Sequence, residues 1–351
     1  MPSIIHNADL SARNTFRMKV RCAALVEIDS EEDLLKVDFA SLPQPLMVMG
    51  GGSNMLFRGD FPGTVLHVGI KGIEDFSAPL EMTEKPEARG EIFFRVGAGE
   101  VFDDFCAFAA AKGLWGPENL SLIPGECGAS AVQNIGAYGV EAKDIIQSIR
   151  AWDTIEKRFV EIKGADCAYG YRASKFKTEW KGRFIITYVT YRLWTTEHPV
   201  LDYGGLRKAL PEGATLSPQL LRDTIIGIRR KKLPDPEEIG SAGSFFCNPV
   251  ITREHFDRIV ETARKDNGPE YEVPHYVVGD MIKVPAAWMI EQCGFKGQRL
   301  GGAQVYQNQP LVIVNASGHA SPDEIIGLEN KIIATIQEKY GITLHPEVEH
   351  I

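Results

Sequence analysis

The segment "PLMVMGGGSNMLF", residues 45–57, runs from an apolar stretch straight into three consecutive glycines. Such a triplet has no side chain to bury and no preferred backbone conformation. A folded chain keeps it where backbone must bend sharply or come very close to something else. The apolar run reads as a strand, and the N–H groups of residues 50–54 then offer the concave nest that accepts phosphate oxygens. It is not a Rossmann fingerprint: G-x-G-x-x-G fails at its sixth place, where Met55 or Leu56 falls, and no helical pattern follows at once. The sequence also lacks G-K-[ST], which excludes a Walker-type ATP site. "GAG" at 97–99 and "IPGECGASAVQNIGAYG" at 123–139 have the same character. Three such loops, each expected to leave a strand, point to a bound dinucleotide with an extended pyrophosphate.

At 351 residues the chain exceeds what one hydrophobic core usually holds, so two or three domains are expected. A formal net charge of -9 argues against a nucleic-acid partner, which would need a surplus of Lys and Arg. Apolar runs stop short of a membrane span, and "MPSIIHNADLSARNTF" lacks the layout of a signal peptide, so a cytoplasmic protein with no membrane partner is expected. The six cysteines show no C-x-x-C spacing and are read as reduced thiols. No metal site is expected.

The first half alternates short apolar runs, read as strands, with glycine-rich turns, and a helix falls between them. In "EVFDDFCAFAAAKG", Val101, Phe105 and Phe108 fall at helical spacing and Gly113 supplies a left-handed stop. Strands are expected again between about 145 and 195. A helix in "SPQLLRDTIIGIRRKK" then starts from Ser217 as cap with Pro218 at its first position, and the following "LPDP" ends it, which places a domain boundary near 234. Beyond lie two expected helices and a strand, then a last helix. Its Ser321 and Glu324 form a capping box, and Ile325, Leu328, Ile332 and Ile336 make one apolar stripe.

"GGGSNMLF", "IPGECGASAVQNIGAYG", "YGYRASKFK", "LDYGGL", "KLPDP", "GSAGSFFCNP" and "HPEVEHI" occur in this order across nearly the whole chain. Together they resemble the UDP-N-acetylenolpyruvoylglucosamine reductase (MurB) family, type I. The resemblance implies an α+β, three-domain flavoprotein with a vanillyl-alcohol-oxidase-like (PCMH-type) FAD-binding fold. Its domains would be 1–75 with the tail 341–351, then 76–233, then a substrate domain at 234–340. The implied reaction reduces the enolpyruvyl ether of UDP-N-acetylglucosamine to UDP-N-acetylmuramate through FAD, with NADPH as co-substrate. That step serves peptidoglycan synthesis and hence cell wall biogenesis, cell shape and cell division. The protein is expected to act as a monomer on small-molecule substrates.

Such a reduction needs a hydride donor, stabilisation of the charge left beside the carboxylate, and a proton. By resemblance, Arg172 of "YGYR" meets the carboxylate, Ser244 delivers the proton, and Glu347 of "HPEV" polarises the carboxylate if burial keeps it protonated. A hydroxyl is a weak acid, but an enolate carbon is basic enough to take its proton. FAD contacts are implied at Gly50, Gly51, Gly52, Ser53, Asn54, Pro124, Gly125, Ala129, Ser130, Asn134, Gly136, Gly139 and Arg229. Substrate contacts are implied at Tyr203, Lys232, Asn248, Tyr276, Lys283, Lys296 and Gln309.

Two positions depart from the family pattern: Cys247 stands where Lys is expected after "SFF", and Glu349 where Arg is expected after "PEV". Two other readings compete. One is a different FAD oxidoreductase of the same fold acting on an alcohol or lactone. The other is a nucleotide-sugar binder without turnover.

Overall fold

A computed structural model of the chain describes residues 2–77, 90–203 and 205–351. Two compact units emerge: the first comprises Met1–Asp9, Arg21–Gly52 and Phe61–Arg230, the second Leu10–Val20, Ser53–Asp60 and Lys231–Ile351. The chain therefore passes from one unit to the other inside the first glycine loop, between Gly52 and Ser53.

The first unit holds two large sheets and a two-stranded one, Gly136–Ala137 with Val140–Glu141. One has the order Ser3–Asp9, Arg21–Ile28, Phe61–Val68, Leu46–Met49, with its first pair antiparallel and the others parallel. The second is antiparallel throughout, in the order Arg158–Lys163, Ile146–Asp153, Phe184–Trp194, Glu91–Gly97, Ile73–Asp75. Val26, Leu66, Val96, Phe105 and Val189 belong to one buried apolar cluster, which joins both sheets to the helix Phe102–Ala111. A smaller cluster of Trp115, Leu206, Leu221 and Ile225 seats the helix Pro218–Lys232. The Leu220 N–H donates to Ser217 Oγ at 3.1 Å, so this helix begins on the cap its sequence announces.

In the second unit an antiparallel sheet runs Gly240–Ser244, Val312–Asn315, Ala303–Val305, Arg299–Leu300. The helix Pro322–Tyr340 packs on it. Ser321 and Glu324 form the reciprocal capping box, and Ile325, Leu328, Ile332 and Ile336 are all buried. A second sheet pairs Met281–Lys283 with Val250–Thr252 and Tyr276–Val278. Glu349–His350 lies parallel to Met55–Leu56.

Three expectations need correction. Val101 is not part of the helical stripe: it sits at the N-cap of Phe102–Ala111 and is exposed, while Phe102, Phe105, Cys106 and Ala109 form the buried face. The segment 123–139 is neither a continuous loop nor the sequel to a strand. It follows a 3₁₀ turn at Glu118–Leu120 and contains the helix Cys127–Gln133, because small residues with few branched side chains let that stretch coil tightly. Between 235 and 321 the two helices are present, but seven strands of two to five residues stand in place of one. Runs that short carry no readable alternation.

Ile332 is fully buried in the stripe that ties the last helix to its sheet. Ile332→Ala is expected to cost about 2–4 kcal/mol in urea unfolding, the usual range for emptying a packed core site. A loss below about 1 kcal/mol would show that the helix does not rely on the stripe.

Candidate active site

In the first unit the three glycine segments meet one another. A Cβ built on Gly99 would lie 2.6 Å from Val68 O and from the carbonyl carbon of Gly69; on Gly128 it would lie 2.9 Å from the Ala98 side chain. A Cβ on Gly50 would meet Glu126 Oε2 at 3.1 Å and Ala129 Cβ at 3.3 Å, and one on Gly51 would reach Gly125 Cα at 3.5 Å. At Gly99 the contact is backbone on backbone, and at Gly128 and Gly50 a neighbouring side chain already fills the space a Cβ would take. The Gly128 N–H donates to Ala98 O at 2.8 Å and the Phe102 N–H to Gly125 O at 3.0 Å, which locks the stack. Pro124 leads into Gly125, which has φ +120°.

Ser130 lies within this stack, yet its hydroxyl is engaged inward, donating to Cys127 O at 2.7 Å and lying 2.8 Å from Tyr191 Oη. Asn134 is fully buried with φ +47°. Its Nδ2 donates to Gly170 O (2.7 Å) and Glu141 Oε2 (2.9 Å), and its Oδ1 accepts from the Lys143 N–H (3.0 Å). The side chain thereby fixes the 170–173 turn that carries Arg172. Two mutual backbone bonds between Gly170 and Ala173 close this turn, with Arg172 itself left-handed at φ +54°. A non-glycine residue holds that conformation at a cost of about 1–3 kcal/mol, a strain that concentrates at functional positions. Arg172 Nη2 donates to Gly136 O at 3.1 Å.

Tyr203 packs over Gly139, where an added Cβ would lie 3.2 Å from the tyrosine Cβ. Asn119 Nδ2 ties both sides together by donating to Tyr138 O (2.8 Å) and Val200 O (2.9 Å). Asp103 accepts from Arg222 Nη1 at 2.5 Å and Nη2 at 2.9 Å and from the Leu122 N–H at 2.5 Å, pinning the helix that carries Arg229. Arg229 Nε is buried with no hydrogen-bond partner among the described residues, and burial lowers the guanidinium pKa. The neighbouring Arg230 is exposed.

In the second unit, the strand Gly240–Ser244 shifts register against Val312–Asn315 between Ser241 and Ser244. Gly243, at φ +72°, takes up the irregularity. Such a bulge re-aims the side chain that follows it, here Ser244. Phe245 and Phe246 are both buried and anchor the strand end. The C-terminal tail closes on the same segment: the Glu347 N–H donates to Phe245 O at 2.8 Å and the Cys247 N–H to His345 O at 2.9 Å. Asn54 Nδ2 donates to Glu347 O at 3.1 Å, and the Glu349 N–H donates to Asn54 O at 3.0 Å. Ser53 opens this unit's part of the loop. These backbone bonds hold Cys247 and Glu349 whatever their side chains are.

The remaining expected ligand residues are scattered. Asn248 Oδ1 accepts from the Ala286 N–H at 2.9 Å, at the start of the helix Ala286–Gln292. Tyr276 and Lys283 face each other across paired strands, with the ammonium 5.8 Å from the ring centroid. Lys296 is ion-paired with Glu291 at 2.9 Å, Gln309 bonds the turn before Val312–Asn315, and Lys232 is exposed at the end of its helix. Asn119, Asp103 and Arg222 escape a sequence reading because their partners lie 19 to 119 residues away.

Comparison with known proteins decides the family. Residues 235–351 match the UDP-N-acetylenolpyruvoylglucosamine reductase C-terminal domain and residues 22–156 an FAD binding domain. A UDP-N-acetylenolpyruvoylglucosamine reductase of Bacteroides fragilis is 42% identical over 97% of this chain and 98% of its own. One of Porphyromonas gingivalis is 43% identical over 97% of each. The chain belongs to the UDP-N-acetylenolpyruvoylglucosamine reductase family. A crystal structure of the Thermus caldophilus enzyme of that name covers the whole chain and 98% of its own with TM-score 0.65 at 19% identity, which establishes the shared α+β fold. The family's FAD fits the residues present: stacked glycine segments supply bare backbone, and Arg229 is a half-buried cation whose buried Nε has no hydrogen-bond partner among the described residues. No helix among the described residues is long and apolar enough to cross a membrane.

Glu118 precedes Asn119 in the turn that holds the Tyr203 loop, and it is almost fully buried. Burial pushes its carboxyl from 4.5 up to about 7, against two backbone hydrogen bonds that favour the charged form. The fold therefore binds this proton more tightly than the unfolded chain does. Its contribution to stability is complete below about pH 4.5 and is lost as pH rises through about 7, roughly 3 kcal/mol in all. Urea unfolding of wild type and Glu118→Gln at about pH 5 and about pH 8 is expected to show that difference in wild type only. Equal pH dependence in both proteins would remove Glu118 as its source.

Proposed function

We propose that this protein reduces UDP-N-acetyl-3-O-(1-carboxyvinyl)-glucosamine to UDP-N-acetylmuramate, with FAD as cofactor and NADPH as co-substrate. Family membership along the whole chain and the FAD binding domain match support this reading. The observation that carries it is the seating of Glu347 beside Ser244: the tail bonds Phe245, the very next residue, so the two groups share one backbone frame. Neither of the competing readings accounts for that pairing.

FAD, when bound, supplies hydride to the vinyl CH₂ carbon. The chain's own residues then manage charge and proton. Arg172, held out of the ordinary backbone regions by its turn, neutralises the substrate carboxylate. Negative charge building on the neighbouring carbon is drawn toward that carboxylate, and the Glu347 carboxyl polarises it further. Ser244 Oγ–H gives its proton to the carbon, which is basic enough to take it, and the serine recovers a proton from solvent. Arg229 and the glycine segments hold the FAD anion, and Tyr203, Asn248, Tyr276, Lys283, Lys232, Lys296 and Gln309 serve the UDP-sugar.

We also assign FAD binding to residues 1–75 and 76–233 and substrate binding to 234–340. The tail 341–351 is grouped with the first segment; its strand partner Met55–Leu56 lies within that range, though both belong to the second compact unit. A monomer acting in the cytoplasm on precursors of the cell wall is the proposed setting.

The two half-reactions separate these roles. In anaerobic stopped flow, Ser244→Ala should be bleached by NADPH at the wild-type rate, while reoxidation by the enolpyruvyl substrate slows about 10²–10⁴-fold, the usual contribution of a general acid. If both half-reactions slow alike, the hydroxyl is structural. If the preparation takes up no FAD, the enzyme reading falls.

A further inference from the structure

A chain of polar contacts that the mechanism above does not use runs beneath the first glycine segment. His67 Nδ1 lies 2.5 Å from Glu27 Oε2, and its Nε2 lies 3.0 Å from Glu126 Oε1. The three side chains are only 13–17% exposed. Strand register accounts for the placement: His67 is paired with Glu27 on one neighbouring strand and with Met49, the residue before Gly50, on the other. The second oxygen of Glu126 lies against Gly50. Carboxylate oxygens accept hydrogen bonds, so a ring that satisfies one on each side donates from both nitrogens and carries the positive charge.

We propose that His67 is a positioning residue for FAD: it holds Glu126 on the glycine segment at Gly50 and offsets the negative charge that Glu126 brings there. The proposal rests on the reading that this unit binds FAD. A dinucleotide carries two negative charges on its pyrophosphate, and a carboxylate against a phosphate-binding segment opposes it. With His67 charged, the Glu27, His67 and Glu126 trio carries one net negative charge; with His67 neutral it carries two. Asp29, whose Oδ1 and the His67 ring both border Gly69, adds a further negative charge. Lys71 and Glu100, 3.9 Å apart, contribute opposite charges nearby. The bond to Glu126 raises the His67 pKa above 6.5 despite burial, with Glu27 acting in the same direction. The proton on His67 therefore favours the fold fully below about pH 6.5, and that gain is lost as pH rises through the higher folded value; its gain to FAD binding is lost as the folded protein's His67 gives up its proton.

The test uses flavin-stripped protein titrated with FAD, with flavin fluorescence quenching as the readout, from about pH 6 to about pH 9. Wild-type Kd should rise with pH. His67→Gln should bind about tenfold more weakly at the acid end and show a flat profile. Glu126→Gln should bind more tightly than wild type at the alkaline end, where the uncompensated carboxylate has been removed, and it decides the matter if His67→Gln does not fold. Melting temperatures of the stripped proteins, followed in parallel, should lose their acid-side advantage in His67→Gln. A wild-type Kd independent of pH, or Glu126→Gln binding more weakly than wild type at the alkaline end, overturns the proposal while leaving the FAD reading intact. Failure of the wild type to bind FAD at any pH removes both.

Discussion

Backbone packed directly on backbone governs the first unit. Gly97 sits so close to Ile70 that a Cβ would fall 2.2 Å from its carbonyl oxygen, and Gly99 crowds the 68–69 peptide in the same way. Where main chains touch without side chains between them, the register of each strand is transmitted directly to its neighbour. The parallel sheet thereby sets the height of residues 50–52 and 97–99, and the helix Cys127–Gln133 follows through the Gly128 bond to Ala98. The nucleotide-binding character of this unit comes from that compression rather than from any single side chain.

Charge is handled around the stack by pairs that leave selected cations in reserve. Arg222 occupies both oxygens of Asp103, so the helix is tied down by one arginine while Arg229, two turns further along the same helix, keeps a buried N–H without a protein acceptor. A buried N–H in that condition is costly unless an acceptor completes it. The second unit is organised differently. There the reactive groups depend on backbone geometry, with a bulge at Gly243 and a tail bond to Phe245 aiming Ser244 and Glu347.

Much of this was legible in the residues. The helix at Pro218–Lys232 with its Ser217 cap and the capping box at Ser321 follow from local rules, and the structure reproduces them because nothing distant competes. Glycines 50–52, 97, 99, 125 and 128 announced close approach, though not that they would approach one another. The short strands between 240 and 315 left no periodic trace, since two to five residues are too few to show alternation. Val101 misled because its spacing fits a helix that starts one residue later. His67, Glu126 and Asn119 were silent: each is an ordinary residue in its own neighbourhood, and only long-range contacts make it matter.

Asn134 offers a final consequence. A single, fully buried amide serves a carboxylate oxygen of Glu141, the Lys143 N–H and the Gly170 carbonyl, which lie on two separate segments. Opening either segment would leave a buried polar atom of Asn134 without its partner, at about 1–3 kcal/mol for each group so left. The arginine-bearing turn and the 141–143 stretch should therefore exchange their amide hydrogens as one cooperative block. Heat would loosen them together and not one after the other.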